Sequence, residues 1–372
     1  MKGERNVLRS PFILNLDFMV APDTQRAREL VLQFGWNATA YQIINPGIAL
    51  WFSESSEAVI GYVRKKGVLV VAGAPVCAEE RLPEVVAEWE NFAAKNGNRV
   101  CYFGAAGRVK DLLSAQREYS TVVLGAQPTW NPANWNAIIE SRSSLRAQLK
   151  RAINKGVSVH LWPPERALEN PELRRVLDEW LRTRGLPTLH FLVEPETLSF
   201  MADRRVFVAK KDGKAVAFLT FCPIRARNGW LTEQFPRGRD APNGTIELLM
   251  DAAIRQVAIE GASYITMGLV PLSLHGVLPG EDNPAWLRVL LSGARAHGRR
   301  FYNFGGLENF KAKFIPDEWE AIYAISNERS FSPRTLYAIA EAFTGQSPII
   351  ALARGLGRAV RQEWRWATRA SG

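Results

Sequence analysis

Two carboxylates stand on either side of a turn that can bring them together. Glu233 closes a β-like run over 230–235, and Glu247 follows directly on Pro242-Asn243-Gly244, where a helix should start. A strand end and the next helix start can meet at one pocket, and carboxylates there can take a proton from an attacking hydroxyl. Groups suited to anions surround them in the sequence. Lys311 and Lys313 flank Phe310 and Phe314, so at least one ammonium should face solvent or a phosphate, and Arg237 lies just past the strand. Ser273 and Asn303 fall at strand or loop ends and read as polar contacts. His275 is a further candidate base, although a lone histidine is more often structural, and a carboxylate such as Glu247 is also favoured by the helix dipole alone. The three cysteines, Cys77, Cys101 and Cys222, read as small apolar residues. No Cys or His spacing suits a metal, so neither metal nor cofactor is expected.

The elements that must position these groups can be read from periodicity and turns. A helix is expected over 24–35, then strands over 48–52, 58–63 and 68–72, a long helix over 80–96, a strand over 99–103, a short helix over 109–115 and a strand over 120–124. The second half repeats this order: a helix over 171–184, strands over 205–210, 215–221 and 230–235, a helix over 245–260 and a strand over 264–267. Lys211-Asp212-Gly213 and Arg227-Asn228-Gly229 are hairpin turns. The fold class is therefore α/β with two tandem copies of one mixed unit. The expected partition is 1–134 and 165–345 as the two units, 135–164 as an interdomain helix with a linker at Trp162-Pro163-Pro164, and 346–372 as a tail.

Charge adds a partner class. The 372-residue chain carries 47 Lys and Arg against 37 Asp and Glu, a net charge of +10, which favours a polyanionic partner such as nucleic acid or an anionic membrane. Two segments concentrate it. In the helix expected over 135–155, Arg142, Arg146 and Lys150 share one face, Arg151 and Lys155 extend it, and Leu145, Leu149 and Ile153 form an apolar stripe. In the tail, Arg354, Arg358, Arg361, Arg365 and Arg369 occupy an arc of about 80°, opposite Leu352, Leu356, Val360 and Trp364. That is the pattern of a helix lying on a membrane surface; the plainer alternative is a terminal helix packed on its own domain. No apolar run approaches the roughly 20 residues needed to span a bilayer, and the first residues do not read as a signal peptide. A cytoplasmic protein held peripherally at the inner face of the membrane is the expectation.

Several segments resemble the catalytic region of the aminoacyl-phosphatidylglycerol synthases, the lysyl- and alanyl-phosphatidylglycerol synthases or multiple peptide resistance factors. They are Met267-Gly268-Leu269-Val270-Pro271-Leu272-Ser273, Phe301-Tyr302-Asn303-Phe304-Gly305-Gly306-Leu307, Phe310-Lys311-Ala312-Lys313-Phe314 with Pro316 and Trp319, and Pro242 to Glu247. The resemblance implies two acetyltransferase-like (GNAT) domains with the reaction centre in the second, and transfer of an amino acid from aminoacyl-tRNA to a hydroxyl of phosphatidylglycerol. It makes Glu233 and Glu247 the catalytic pair. It makes Arg237, Ser273, Asn303, Lys311 and Lys313 substrate contacts and Arg142, Arg146, Lys150 and Arg151 tRNA contacts, while the amphipathic pattern of the tail makes Arg354, Arg358, Arg361, Trp364, Arg365 and Arg369 the expected membrane contact. The family places Asp at Glu233 and at Glu247, and Arg where this chain has Pro236, a departure that touches the acceptor.

Two other readings compete: an acyltransferase of the same fold using acyl-CoA or a non-lipid acceptor, and a non-catalytic membrane- or RNA-binding protein. The transferred amino acid and the oligomeric state are not legible. If the tail is the lipid contact, truncation after Gly345 should abolish sedimentation with phosphatidylglycerol vesicles and leave tRNA binding unchanged. Undiminished sedimentation of the truncated chain would make the tail a packing helix.

Overall fold

The computed structural model describes residues 21–114, 118–183, 189–193, 195–276, 283–289, 292 and 304–347. Asn303 and the whole Arg354–Arg369 stripe with Trp364 lie outside the described residues. Among the described residues twelve strands form one sheet. The first half supplies β1 (Ala49–Phe52), β2 (Val59–Lys65), β3 (Val68–Ala72), β4 (Arg99–Ala105) and β5 (Ser120–Trp130). The second half supplies β6 (Ser158–Trp162), β7 (Arg205–Lys211), β8 (Lys214–Ile224), β9 (Gly229–Gln234), β10 (Tyr264–Thr266), β11 (Val270–Pro271) and β12 (Glu318–Ser326). The helices are α1 (Pro22–Phe34), α2 (Leu82–Lys95), α3 (Gly107–Ser114), α4 (Trp135–Ser141), α5 (Ser143–Asn154), α6 (Pro164–Ala167), α7 (Pro171–Arg182), α8 (Thr245–Ile259), α9 (Phe304–Ala312) and α10 (Pro333–Thr344).

Each half follows one plan. Antiparallel hairpins lead to a strand whose next neighbour is parallel and reached through a helix: β3 to β4 through α2, and β9 to β10 through α8. The reason is local. Lys65-Lys66-Gly67 and Lys211-Asp212-Gly213 turn tightly with Lys66, Gly67, Asp212 and Gly213 all at positive φ, whereas a parallel return needs a crossover.

The two halves do not form two sheets, as the tandem reading expected. The order β1-β2-β3-β4-β12-β5-β10-β9-β8-β7-β6 is continuous, with β11 beside β5. Strand β12, from the end of the chain, lies between β4 and β5, while β5, from the first half, carries β10 and β11 on its other edge. The physical reason is β5 itself. Nine of its eleven residues pair with β12, from Ser120↔Ser326 to Thr129↔Glu318, making it the seam of the molecule. At that seam Tyr264, Gln127 and Arg227 all converge on the Glu320 carboxylate. Gly125 lets β11 approach: it sits at φ +147, and a Cβ there would stand 2.1 Å from the Val270 carbonyl oxygen.

The interdomain helix also differs from the reading. It breaks at Arg142, whose backbone is extended, giving α4 and α5. Arg146 turns back to cap the end of α4, donating to the carbonyls of Ile139 (3.0 Å) and Glu140. The buried stripe of α5 runs through Leu145 and Ala152, and Ile153 is 56% exposed instead of packed. Gly244, at φ +93, allows this contact with α8, because a Cβ there would meet the Gln148 carbonyl oxygen at 2.1 Å. The Trp162-Pro163-Pro164 linker is in fact the end of edge strand β6 and the start of α6.

A buried ionic cluster ties the first half to the second. Arg204 is enclosed, with no exposed side-chain surface, and grips Glu233 through two bonds of 2.7 and 2.8 Å. Gln42 donates to the same carboxylate at 3.2 Å, and Tyr41 donates to the Ala202 carbonyl at 2.6 Å. Alongside, Arg28 holds Asp203 at 2.6 and 2.7 Å. Removing one member of a buried pair strands the other charge and typically costs about 3–5 kcal/mol. Arg204→Ala should lose about that much in urea unfolding, and Arg204→Met with Glu233→Leu should recover most of it. Burial alone would raise the Glu233 carboxyl, but the Arg204 charge and hydrogen bonds outweigh it and hold it below the usual carboxylate range. Its stabilisation is therefore complete above the unfolded-state value and fades as pH falls through the folded one. The gap between wild type and Arg204→Ala should shrink on acidification.

Candidate active site at the parted strands

Strands β9 and β10 are paired only from Gly229↔Tyr264 to Leu231↔Thr266. Beyond that point β9 continues to Gln234 beside β8, while the other chain departs toward β5 and becomes β11. The parting strips the carbonyls of Met267, Gly268 and Leu269 of a strand partner. Buried carbonyls need donors, and α9 supplies one. The Lys311 ammonium donates to all three, at 2.6, 2.8 and 3.2 Å. Lys311 is 3% exposed, and burial pushes its ammonium down to about 7. It is not the phosphate ligand that its spacing suggested, because its three donors are already committed to the backbone.

Helix α9 thereby lies along the gap and offers a group to each side. Lys313, just past its end, pairs with Glu247 at 2.5 Å, and its ammonium lies 4.0 Å from the Phe310 ring centre and 5.0 Å from that of Phe314. Phe310 in turn stacks on Phe235 at 5.6 Å, anchoring α9 against the far end of β9. Glu247 sits in the first turn of α8, as expected, and the Lys313 side chain keeps 30% of its surface exposed. On the other side, Ser273 donates to Glu308 at 2.9 Å, and His275 Nε2 lies 3.3 Å from the same carboxylate oxygen. The His275 ring stacks on Trp319 at 4.5 Å.

Glu233 does not join Glu247. A β-bulge in β9 sets Phe221 opposite Thr232 and Thr220 opposite Gln234, leaving Glu233 as the extra residue. Its side chain turns to the layer of Tyr41, Gln42 and Cys222, whereas Glu247 lies with Phe310 and Phe314 in the layer of Phe221 and Trp230. The two carboxylates are thus on opposite faces of the sheet, and the shared pocket expected of them does not form. Glu233, with both oxygens gripped by Arg204, is a poor proton acceptor.

Arg237 closes the loop ahead of α8 by donating to the Ala241 carbonyl (2.7 Å) and Asn243 Oδ1 (3.1 Å). Lys150 and Arg151 are exposed on α5 and Arg142 at the break before it, with Arg146 drawn into the α4 cap. Three groups escaped the sequence reading. Arg204 gave no signal, since its partner is 29 residues away across two strands. Gln42 was equally silent. Glu308 was legible in principle, because it stands one helical turn before Lys311 and must share its face. Among the described residues no group of His, Cys, Asp or Glu could hold a metal ion, and no helix is long and apolar enough to cross a membrane.

Comparison with known proteins places this architecture. The family described as phosphatidylglycerol lysyltransferase, C-terminal, matches residues 28–326. The chain is 26% identical over 317 residues to the phosphatidylglycerol lysyltransferase of Bacillus subtilis (strain 168), covering 83% of this chain and 36% of that protein. It is 23% identical over 320 residues to that of Staphylococcus aureus (strain MRSA252), covering 82% and 36%. The chain thus spans about a third of the length of these curated relatives. Among solved structures, the C-terminal DUF2156 domain of an Agrobacterium fabrum lysylphosphatidylglycerol synthetase superposes with a TM-score of 0.72 at 24% identity, covering 87% of this chain and 97% of that one. L-PGS from Bacillus licheniformis gives 0.70 at 23%, covering 91% and 97%. The α/β fold class follows, and the chain belongs to the phosphatidylglycerol lysyltransferase C-terminal family.

Proposed function

We propose that this chain transfers an amino acid from aminoacyl-tRNA to a hydroxyl of phosphatidylglycerol or a related lipid. The observation that carries the reading is the family match over 28–326, which takes in the parted strands, α8 and α9. Such a transfer attacks an activated ester. It needs a site for the aminoacyl ammonium, a site for the acceptor's phosphate and a proton acceptor. The Glu247–Lys313 pair at the gap suits the first two: the carboxylate for the ammonium, the partly exposed lysine for the phosphodiester. No resident cofactor is invoked. The amino acid transferred is left open.

The surface of α5 supports a tRNA partner. Lys150 and Arg151 project from it, and Arg142 from the break before it, with no acidic residue in α5 to shield them. The acyl-CoA alternative is less well served. A pyrophosphate would need the start of α8, where the Gln148 carbonyl already lies against Gly244. The membrane contact proposed for the tail concerns residues outside those described.

Two measurements test the reading. Purified protein given charged tRNA and phosphatidylglycerol vesicles should label the lipid. Glu247→Gln should then lower kcat/KM by about 10–150-fold, the range of a charge-assisted hydrogen bond worth about 1.5–3 kcal/mol, with the unfolding midpoint little changed. For the tRNA surface, Arg142→Ala with Lys150→Ala should weaken tRNA binding and flatten its salt dependence, since fewer counterions are released. An unchanged salt slope would move the tRNA site off α5.

A further inference from the structure

A transfer to a hydroxyl needs a proton acceptor, and the ionic pairing of Glu233 and Glu247 leaves that role unfilled. We infer that His275, oriented by Glu308, is the general base for the acceptor hydroxyl; this rests on the transferase reading above. Four observations meet at this imidazole. Its Nε2 lies 3.3 Å from Glu308 Oε1, and its side chain is 52% exposed while Glu308 is 17% exposed. Its ring is stacked on Trp319, with centres 4.5 Å apart and planes 21° apart. Ser273 Oγ donates to the same Glu308 oxygen at 2.9 Å and receives the His275 backbone N–H at 3.3 Å. Glu308 stands one turn before Lys311 on α9, so the dyad borders the gap that Lys311 props open.

The chemistry follows from the tautomer. A carboxylate facing Nε2 holds the proton there and leaves Nδ1 as the acceptor, the same division of labour by which a carboxylate orients a histidine in hydrolases. Nδ1 has no partner among the described residues, and the side chain is about half exposed. The acceptor hydroxyl gives its proton to Nδ1 as its oxygen bonds to the aminoacyl carbonyl carbon. Glu308 stabilises the imidazolium formed. Collapse of the tetrahedral species breaks the bond to the ribose oxygen of the tRNA terminus, and the imidazolium returns the proton to that oxygen. The products are the aminoacyl ester of the acceptor and free tRNA. The other charged groups nearby are committed elsewhere: Lys311 to three carbonyls and Glu320 to Arg227, while Glu318 alternates to the opposite face of β12 from Trp319.

The test uses the full chain with charged tRNA and phosphatidylglycerol vesicles. His275→Ala and His275→Phe, the second keeping an aromatic ring against Trp319, should each lower kcat by about 10²–10⁴-fold, as loss of a general base does. The affinity for aminoacyl-tRNA should not change, and Glu308→Gln should give a smaller loss. Added imidazole should restore turnover to His275→Ala but not to Glu247→Gln. If both His275 variants keep more than a tenth of wild-type turnover, or if imidazole restores nothing, His275 is a packing residue and the inference falls. If the wild-type chain itself labels no lipid, the transferase reading falls first and takes the base with it.

Discussion

A parallel strand pair that parts in a protein interior must find new donors for the carbonyls it frees, and here a single ammonium answers for three. Lys311 reaches the backbone of Met267, Gly268 and Leu269 from α9 and so fixes that helix over the break in the sheet. The other features of the site take their places from it. Glu308, one turn earlier, is set against Ser273 and His275; Lys313, two residues later, is set against Glu247. Without the lysine the buried Met267 carbonyl would remain unpaired, at about 1–3 kcal/mol, and the part-buried Gly268 and Leu269 carbonyls would lose their donor.

The ionic design separates inner from outer charges. Arg28–Asp203, Arg204–Glu233 and Arg227–Glu320 each bridge distant parts of the chain and are largely removed from solvent. Pairs of this kind add little net stability over apolar substitutes, yet each demands one particular juxtaposition of the halves. The net charge of +10 remains for the surface, where α5 displays much of it. Screening by salt acts on the second set and hardly on the first.

Local order was legible and long-range order was not. The run Val59–Lys65, the Lys66-Gly67 turn and Val68–Ala72 follow directly from β-branched alternation and punctuation, and the helix after Pro242-Asn243-Gly244 begins at Thr245 as read. What failed depends on partners far away in sequence. The insertion of β12 between β4 and β5 is decided by the edge that β4 offers, about 200 residues earlier, and no local pattern encodes it. The helix break at Arg142 reflects the docking of α5 on α8 through Gly244. Glu247 stands in the first turn of α8 as read, because a helix start marks it, whereas Glu233 does not reach it because the bulge that turns it to Arg204 arises only when β8 and β9 pair.

The interleaving of β12 and β5 governs how the molecule can be made. Synthesis runs from the N-terminus, so β1 to β5 leave the ribosome long before residues 318–326 exist. Until then β4 and β5 cannot take their final positions, and each carries an open strand edge, the kind of surface that pairs with other chains. The first half therefore waits, incomplete, for nearly the whole of the second. A chaperone that shields strand edges would find its longest-lived substrate here in the nascent first half, and a premature stop anywhere before β12 would leave both halves of the sheet without their shared centre.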